Sequence, residues 1–178
     1  MYEGGSLIGI GEPSAAEGGD TRFALAHLLG VDRDEGSYAC HAPWEFTEKA
    51  APFFTAEESI GKTDGIRLTD PDTQVLKACE GTPVLTLHSF GKGKAVYMGG
   101  FTYTPESARM LLEMLLYLTG KDGSTAGMTD QVQAECAWYP ASETLVVMNN
   151  SNRALDVQVS LPSGTVRVHT EPFEMKFV

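Results

Sequence analysis

The pair best suited to nucleophilic chemistry is Cys40 and His41, the one place in the chain where a thiol and an imidazole are neighbours. A catalytic thiol must meet its base in space, with a third group that orients the imidazole, and adjacency in sequence supplies none of these contacts. The segment His169-Thr170-Glu171 has a His-x-Glu spacing that can activate a thiol, but no cysteine lies near it in the sequence. We therefore expect no catalytic residue at either place, and a surface strand at His169.

Gly91-Lys92-Gly93-Lys94 has the glycine and lysine content of a phosphate loop but not its pattern. A P-loop requires G-x-x-x-x-G-K-[ST] between a strand and a helix, whereas Ala95 follows here and begins another apolar run. The segment therefore predicts the turn of a β-hairpin. The histidines are far apart and show no metal-ligand spacing, so we expect no metal site; they are His27, His41, His88 and His169.

The composition excludes several classes of partner. With 24 acidic against 13 basic residues, the 178-residue chain has a net charge of −11, which repels nucleic acids and anionic membranes. No apolar run approaches the roughly 18 to 20 residues of a membrane span, and the first residues lack the basic segment of a signal peptide. The three cysteines fit neither a disulfide framework nor a C-x-x-C zinc pattern. We expect a soluble, cytoplasmic protein with reduced thiols.

The hydrophobic pattern changes near residue 122, which predicts two domains, 1–122 and 123–178. In the first domain, an apolar strand precedes a helix capped by Asp20 and closed by Gly30. A second helix, capped by Thr104, is apolar nearly all round, which favours burial between layers on a mainly parallel sheet. This domain is therefore of the α/β class. Between the two helices, residues 31–72 show no clear pattern of regular structure.

The second domain alternates apolar and polar residues over about five short strands. This pattern predicts a small all-β antiparallel module that resembles a sandwich. Its last strand places Phe173, Met175 and Phe177 on one face, with Glu174 and Lys176 on the other. We expect these strands to close on one another with a polar exterior.

A sharp glycine turn follows the first strand, in Gly9-Ile10-Gly11-Glu12-Pro13. A strand that ends in such a turn before a helix resembles the elbow of the amidotransferase-like fold, a flavodoxin-like three-layer fold whose active members carry a cysteine in the turn. Gly11 stands at the matching position and has no side chain, so the resemblance implies an amidotransferase-like domain, incomplete at its N-terminus, without amidotransferase chemistry. Glu12 and Arg22 are candidates for contact with a ligand or a neighbouring domain, and a structural salt bridge or a capping role is the alternative.

Longer matches point to one family. Gly4–Ala15 and Arg22–Val31 resemble the middle domain of the 1,3-β-galactosyl-N-acetylhexosamine phosphorylases, also called lacto-N-biose or galacto-N-biose phosphorylases. The likeness continues in Asp72–Leu76, Phe90–Gly100 and Glu106–Arg109. The segment Val146–Asn150 resembles the C-terminal β-domain of the same family.

This resemblance implies an intracellular enzyme that uses phosphate to split galactosyl-β-1,3-N-acetylhexosamine into galactose 1-phosphate and the free N-acetylhexosamine, with no metal or organic cofactor. In that family the catalytic acid and most sugar and phosphate contacts belong to an N-terminal barrel domain, so no catalytic residue carries over to this chain. The leading hypothesis is a non-catalytic C-terminal region, or a short relative, that is inactive alone. Its role is in folding and assembly, with the barrel domain as its partner.

Two alternatives remain open. The chain is similar to the trimerisation region of related β-galactosidase-like enzymes, where the same fold serves as an accessory module. It also fits a stand-alone carbohydrate-binding module in which Trp44, Trp138 and Tyr139 stack on sugar rings, although large aromatic residues more often belong to a core.

The resemblance also predicts self-association. An amidotransferase-like domain that begins at the elbow strand lacks the preceding strands, which leaves the sheet with an unpaired edge or an uncovered apolar face. We expect a homo-oligomer formed through this first domain rather than through the β-module.

Overall fold

A computed structural model describes residues 1–14, 22–33, 44–121 and 127–178. These residues fall into two units, Met1–Gly120 and Lys121–Val178. Most of their regular structure consists of strands, with two helices in the described part of the first unit. No helix in the described ranges is long and apolar enough to cross a membrane.

The elements of the first unit are β1 (Ser6–Ile10), α1 (Ala26–Leu29), β2 (Val31–Arg33), a 3-10 turn (Glu57–Ser59), β3 (Ile66–Leu68), β4 (Gln74–Cys79), β5 (Thr82–Phe90), β6 (Gly93–Met98) and α2 (Pro105–Leu118). Four of the strands form one sheet in the order β1-β6-β5-β4, and β2 pairs with β3. The short strands β2 and β3 lie within residues 31–72, where the sequence shows no clear pattern of regular structure.

The main sheet is mixed, so the prediction of a mainly parallel sheet is wrong. Among its described strand pairs, β1–β6 is parallel, whereas β4–β5 and β5–β6 are antiparallel. The cause is local, because two-residue turns reverse the chain at both β-hairpins. Phe90 pairs with Gly93 across Gly91-Lys92, which confirms the predicted hairpin. Cys79 pairs with Thr82 across Glu80-Gly81, where both residues have positive φ.

Apolar side chains cover the sheet on both faces. On one face, the buried side of α2 contributes Met110, Met114 and Leu118 to a cluster with Leu85 and Val96 of the sheet. On the other face, residues of α1, β2 and β3 pack on β4 and β6; they are Leu29, Val31, Ile66, Leu68, Val75, Ala95 and Tyr97. Both faces of β6 therefore lie in a core.

Helix α2 begins as the sequence predicts. The Thr104 side chain accepts a hydrogen bond from Ser107 N–H at 3.1 Å, and Ser107 Oγ accepts one from Thr104 N–H at 2.7 Å. Its burial differs from the prediction, since Leu112 and Leu115 are 45% and 46% exposed. One side of this helix is buried and the other is an apolar surface.

Helix α1 spans only Ala26–Leu29, so it is shorter than the sequence pattern suggests, and its proposed cap Asp20 lies outside the described residues. Gly30 closes it with φ of 70°, as predicted. A side chain at Gly30 would collide with Thr73 Oγ1 and His88, so glycine is required there by packing as well as by backbone geometry.

The second unit contains β7 (Met128–Thr129), β8 (Ala134–Tyr139), β9 (Thr144–Asn149), β10 (Leu155–Leu161), β11 (Gly164–Thr170) and β12 (Met175–Phe177). They form two three-stranded antiparallel sheets, β11-β10-β7 and β12-β9-β8. A core of Ala134, Leu145, Val147, Val157, Val159 and Val168 is drawn from both sheets. These small antiparallel sheets agree with the predicted all-β module.

The exterior of this unit is not uniformly polar, contrary to the sequence prediction. Phe173, Met175 and Phe177 are 70%, 51% and 68% exposed. The register sets Met175 beside Met148 and Phe177 beside Val146 on the same face of the sheet. Apolar and polar side chains do alternate along β12. Its apolar side points outward because Leu145 and Val147 of β9 already fill the core.

Candidate functional site

The glycine turn after β1 supplies no nucleophile. Gly11 has φ of 66°, and its N–H donates to Met98 C=O at 2.8 Å, next to the end of β6. Tyr97 Oη donates to the Gly11 carbonyl at 3.1 Å. Burial raises the pKa of Tyr97 to about 12, so its hydroxyl stays protonated and acts as a donor. The turn is thus held by backbone and phenol contacts.

Glu12 lies at the carboxyl end of β1, in an ion pair. Its Oε1 is 2.5 Å from Arg33 Nη1, and both side chains are partly exposed. Arg33 follows Asp32, whose Oδ1 accepts from the Phe23 and Arg33 N–H groups at 2.8 Å each. The pair therefore ties the turn after β1 to β2.

Arg22 is exposed. It immediately precedes Phe23, whose side chain is buried in the core between the sheet and α1, β2 and β3. The partner that the structure gives Glu12 is Arg33 rather than Arg22. Sequence reasoning missed Arg33, because nothing in the spacing of residues 12 and 33 indicates that β2 lies beside the turn.

The cysteine candidates do not form a site in the described ranges. Cys40 and His41 lie outside those ranges. Cys79 is exposed at the end of β4, and Cys136 is half-buried with its thiol donating to Gly127 C=O at 2.9 Å.

His169 lies on strand β11, exposed as predicted. Its Nδ1 is 2.9 Å from Asp156 Oδ1 across the strand pair, and its Nε2 is 3.6 Å from Glu171 Oε1. The hydrogen bond with Asp156 is the main cause that raises the pKa of His169. Among the described residues no cluster of three or more His, Cys, Asp or Glu side chains suits a metal ion.

The two tryptophans differ in their surroundings. Trp138, on β8, packs partly buried against the core of the second unit. Trp44 is 45% exposed in the first unit and lies in a groove with a cavity of about 520 Å³. The groove is also lined by polar side chains, among them Thr47, Gln74 and Ser89. Of the predicted ligand candidates, Trp44 alone lines this groove, and its neighbours come from segments too distant in sequence for a motif to reveal them.

A second cavity, of about 760 Å³, lies beside the edge strand β1. Its apolar lining includes Ile8, Leu115 and Leu118. Lys94 also lines it, with Nζ 3.9 Å from the centre of the Tyr117 ring. The flank of α2 and strand β1, which is an edge strand among the described residues, thus border one apolar surface.

Two models of known protein families together match nearly the whole chain. The model of the lacto-N-biose phosphorylase central domain matches residues 1–123. The model of the lacto-N-biose phosphorylase C-terminal domain matches residues 127–178.

Individual relatives share this likeness. A D-galactosyl-β-1→4-L-rhamnose phosphorylase from Lachnoclostridium phytofermentans is 38% identical over 93% of this chain, which is 23% of the relative. A 1,3-β-galactosyl-N-acetylhexosamine phosphorylase from Bifidobacterium longum subsp. longum is 26% identical over 97% of this chain and 27% of the relative. The chain therefore spans about a quarter of the length of these relatives.

Solved structures show a related fold at low sequence identity. A cold-adapted β-galactosidase from Rahnella sp. R3 has a TM-score of 0.53 and 16% identity, covering 99% of this chain and 28% of that protein. A catalytic mutant of a GH42 β-galactosidase from G. stearothermophilus has a TM-score of 0.51 and 14% identity, with coverage of 99% and 28%. At this identity the likeness concerns the fold alone.

Proposed function

The chain belongs to the lacto-N-biose phosphorylase family, and we propose that it is a non-catalytic region of a longer phosphorylase that supports folding and assembly. The reaction we assign to the whole enzyme is phosphorolysis of a β-galactoside to galactose 1-phosphate and a free acceptor sugar. The acceptor is the variable part among the relatives, since the names of two of them share the galactosyl group and differ between N-acetylhexosamine and L-rhamnose. A galactosyl-β-1,3-N-acetylhexosamine remains the substrate that the family match favours.

The observation that carries this proposal is the combination of full family coverage with a small share of each relative's length. Residues 1–123 and 127–178 match two non-overlapping domains, yet the chain spans only 23% and 27% of two relatives. We assign the catalytic acid and the phosphate site to a barrel domain outside these residues. The paired Glu12 carboxylate and the side-chain-free Gly11 support this division of roles, since neither offers an acid or a nucleophile.

We further propose that the first domain, 1–122, has an amidotransferase-like fold and that 123–178 is a separate β-module. The order of strand β1, a turn at Gly11 with positive φ, and a helix supports the first assignment. The presence of core clusters on both faces of the sheet, with α2 covering one face, also supports the first assignment. The division into Met1–Gly120 and Lys121–Val178 supports the second.

Assembly is the role that the surface of the first unit supports. Within the described residues β1 pairs with β6 alone, so one of its edges is unpaired. The apolar cavity beside it and the exposed Leu112 and Leu115 form a surface that a second copy could cover. We propose two partners: further copies of this chain, which bind through this surface to form a homo-oligomer, and the barrel domain of the longer enzyme.

A chimera tests the proposed role. Residues 1–178 would replace the matching part of the L. phytofermentans rhamnose phosphorylase, and phosphorolysis would be measured with galactosyl-β-1,4-L-rhamnose and galactosyl-β-1,3-N-acetylglucosamine. We expect an active enzyme that keeps the acceptor preference of its host, because the reacting groups belong to the host. A shift of preference towards N-acetylglucosamine would show that this chain contacts the substrate and would overturn the assignment.

A further inference from the structure

The groove at Trp44 has one wall that is fixed against the sheet. This wall is segment 44–49, which runs beside the edge strand β4. Lys49 N–H donates to Val75 C=O at 2.8 Å, and Ala78 N–H donates to the Glu48 carboxylate at 2.9 Å. Hydrogen bonds at two points therefore hold the segment that carries Trp44.

The turn between β3 and β4 also lines the groove, and it is fixed as well. Asp70 Oδ1 accepts from Asp72 N–H at 2.8 Å, and Asp70 Oδ2 is 3.4 Å from the buried His88 Nε2. Thr73 Oγ1 donates to Gly30 C=O at 3.1 Å. Because both lining segments are set by contacts within the protein, the groove exists without a ligand, and its volume of about 520 Å³ is within the roughly 300–1,000 Å³ of small-molecule sites.

The lining combines the exposed indole of Trp44 with polar side chains that have no hydrogen-bond partner among the described residues. Trp44 is 45% exposed and belongs to none of the core clusters. In the described part of the chain, the side chains of Thr47, Gln74 and Ser89 make no hydrogen bond with the protein, although all three line the groove. Hydroxyl and amide groups of this kind both donate and accept hydrogen bonds.

The charges of the groove favour a neutral ligand. Among the described residues, its lining includes the carboxylates Glu45 and Asp72 and one cation, Lys49. A phosphate or another anion would meet two negative charges against one positive charge. An apolar ligand would leave the polar lining unpaired.

We propose that this groove binds a neutral sugar ring, such as a galactosyl or N-acetylhexosaminyl unit. The C–H face of the ring packs on the exposed indole of Trp44, and the ring hydroxyls bond to Gln74, Ser89 and Asp72. This goes beyond the proposed function, because it assigns a ligand to the region that carries out no chemistry. Binding holds a saccharide to the first unit and does not cleave it.

Intrinsic fluorescence of the full chain tests this binding. The sequence has two tryptophans, so a Trp138→Phe variant leaves Trp44 as the single indole reporter. Galactose, N-acetylglucosamine and L-rhamnose are each titrated to about 10 mM, without phosphate, which spans a millimolar dissociation constant. We expect a saturable change with at least one sugar, and Trp44→Ala in the unaltered background should abolish binding measured by calorimetry. Because no turnover is measured, the result is independent of the phosphorylase assignment.

A second variant keeps the test decisive if Trp44→Ala fails to fold. Gln74→Ala retains the reporter and should weaken binding about tenfold, a factor in the range of a lost hydrogen bond. Tyr139→Ala is the matched control, since it removes an exposed aromatic residue of the second unit and should leave affinity unchanged. No saturable change with any of the three sugars, or equal affinity in the Gln74→Ala and parent proteins, would overturn the proposal.

Discussion

Tyr97 donates a hydrogen bond from Oη to the Gly11 carbonyl at 3.1 Å, which joins the core of the sheet to the turn after β1. The Tyr97 residue is fully buried. The turn that resembles a catalytic elbow is therefore held in place by a structural contact.

Replacing this phenol tests the contact. Tyr97→Phe should lower the free energy of unfolding by about 1 kcal/mol, because it removes a hydrogen bond while keeping the ring. Urea denaturation measures the change. Tyr103→Phe, on an exposed ring, is the control and should have no effect; an equal stability of Tyr97→Phe and the parent would show that the bond contributes nothing.

The raised pKa of Tyr97 predicts a loss of stability at high pH. In the unfolded chain a tyrosine loses its proton near pH 10, whereas burial raises the pKa of Tyr97 to about 12 in the folded chain. The folded state therefore binds the proton more tightly, and this contribution to stability is present below about pH 10 and is lost as pH rises towards 12. Denaturation curves across this range should fall less steeply with pH for Tyr97→Phe than for the parent, and parallel curves would contradict the assignment.

The Glu12–Arg33 pair should contribute little to stability. Both side chains are partly exposed, so we expect a coupling energy of no more than about 1 kcal/mol, which weakens as salt is added. A double-mutant cycle with Glu12→Gln and Arg33→Gln measures it at low and high salt. If Glu12 binds a ligand instead, ligand affinity would fall in Glu12→Gln although stability is nearly unchanged.

Association through the first unit should be mainly hydrophobic. Residues 1–123 carry 18 of the 24 acidic and 10 of the 13 basic side chains, so two copies repel each other at low salt. Added salt screens this repulsion and strengthens apolar contact, so the oligomer should persist or increase as salt rises. Light scattering across a salt series measures the mass, and Leu115→Glu should dissociate the oligomer whereas Phe177→Glu on the second unit should not. A monomer under all conditions would contradict association, and a trimer would favour the accessory-domain alternative.

Local signals in the sequence predicted local structure well. Glycines beside Lys92 predicted the β5–β6 hairpin, and the sequence of Thr104 and Pro105 predicted where α2 begins. Both depend on backbone geometry within a few residues. The alternating pattern of the second domain, predicted as 123–178, likewise predicted antiparallel strands.

Features that depend on distant neighbours were predicted poorly. The direction of strands in the first sheet follows from which strands pair, and α2 is apolar on a side that the rest of the described chain leaves exposed at Leu112 and Leu115. Alternation in β12 indicated two faces without indicating which one points outward. The Trp44 groove joins residues near positions 44, 72 and 89, so no spacing in the sequence reveals it.

The central claim is that this chain carries no catalytic centre for phosphorolysis. The most direct test incubates the purified chain alone with inorganic phosphate and galactosyl-β-1,3-N-acetylglucosamine, and in parallel with galactosyl-β-1,4-L-rhamnose. Galactose 1-phosphate is then measured against a blank without protein, with a full-length relative as the positive control. We predict no release above the blank, because neither Gly11 nor the paired Glu12 supplies an acid beside a phosphate site. Galactose 1-phosphate released in proportion to the amount of chain would contradict it.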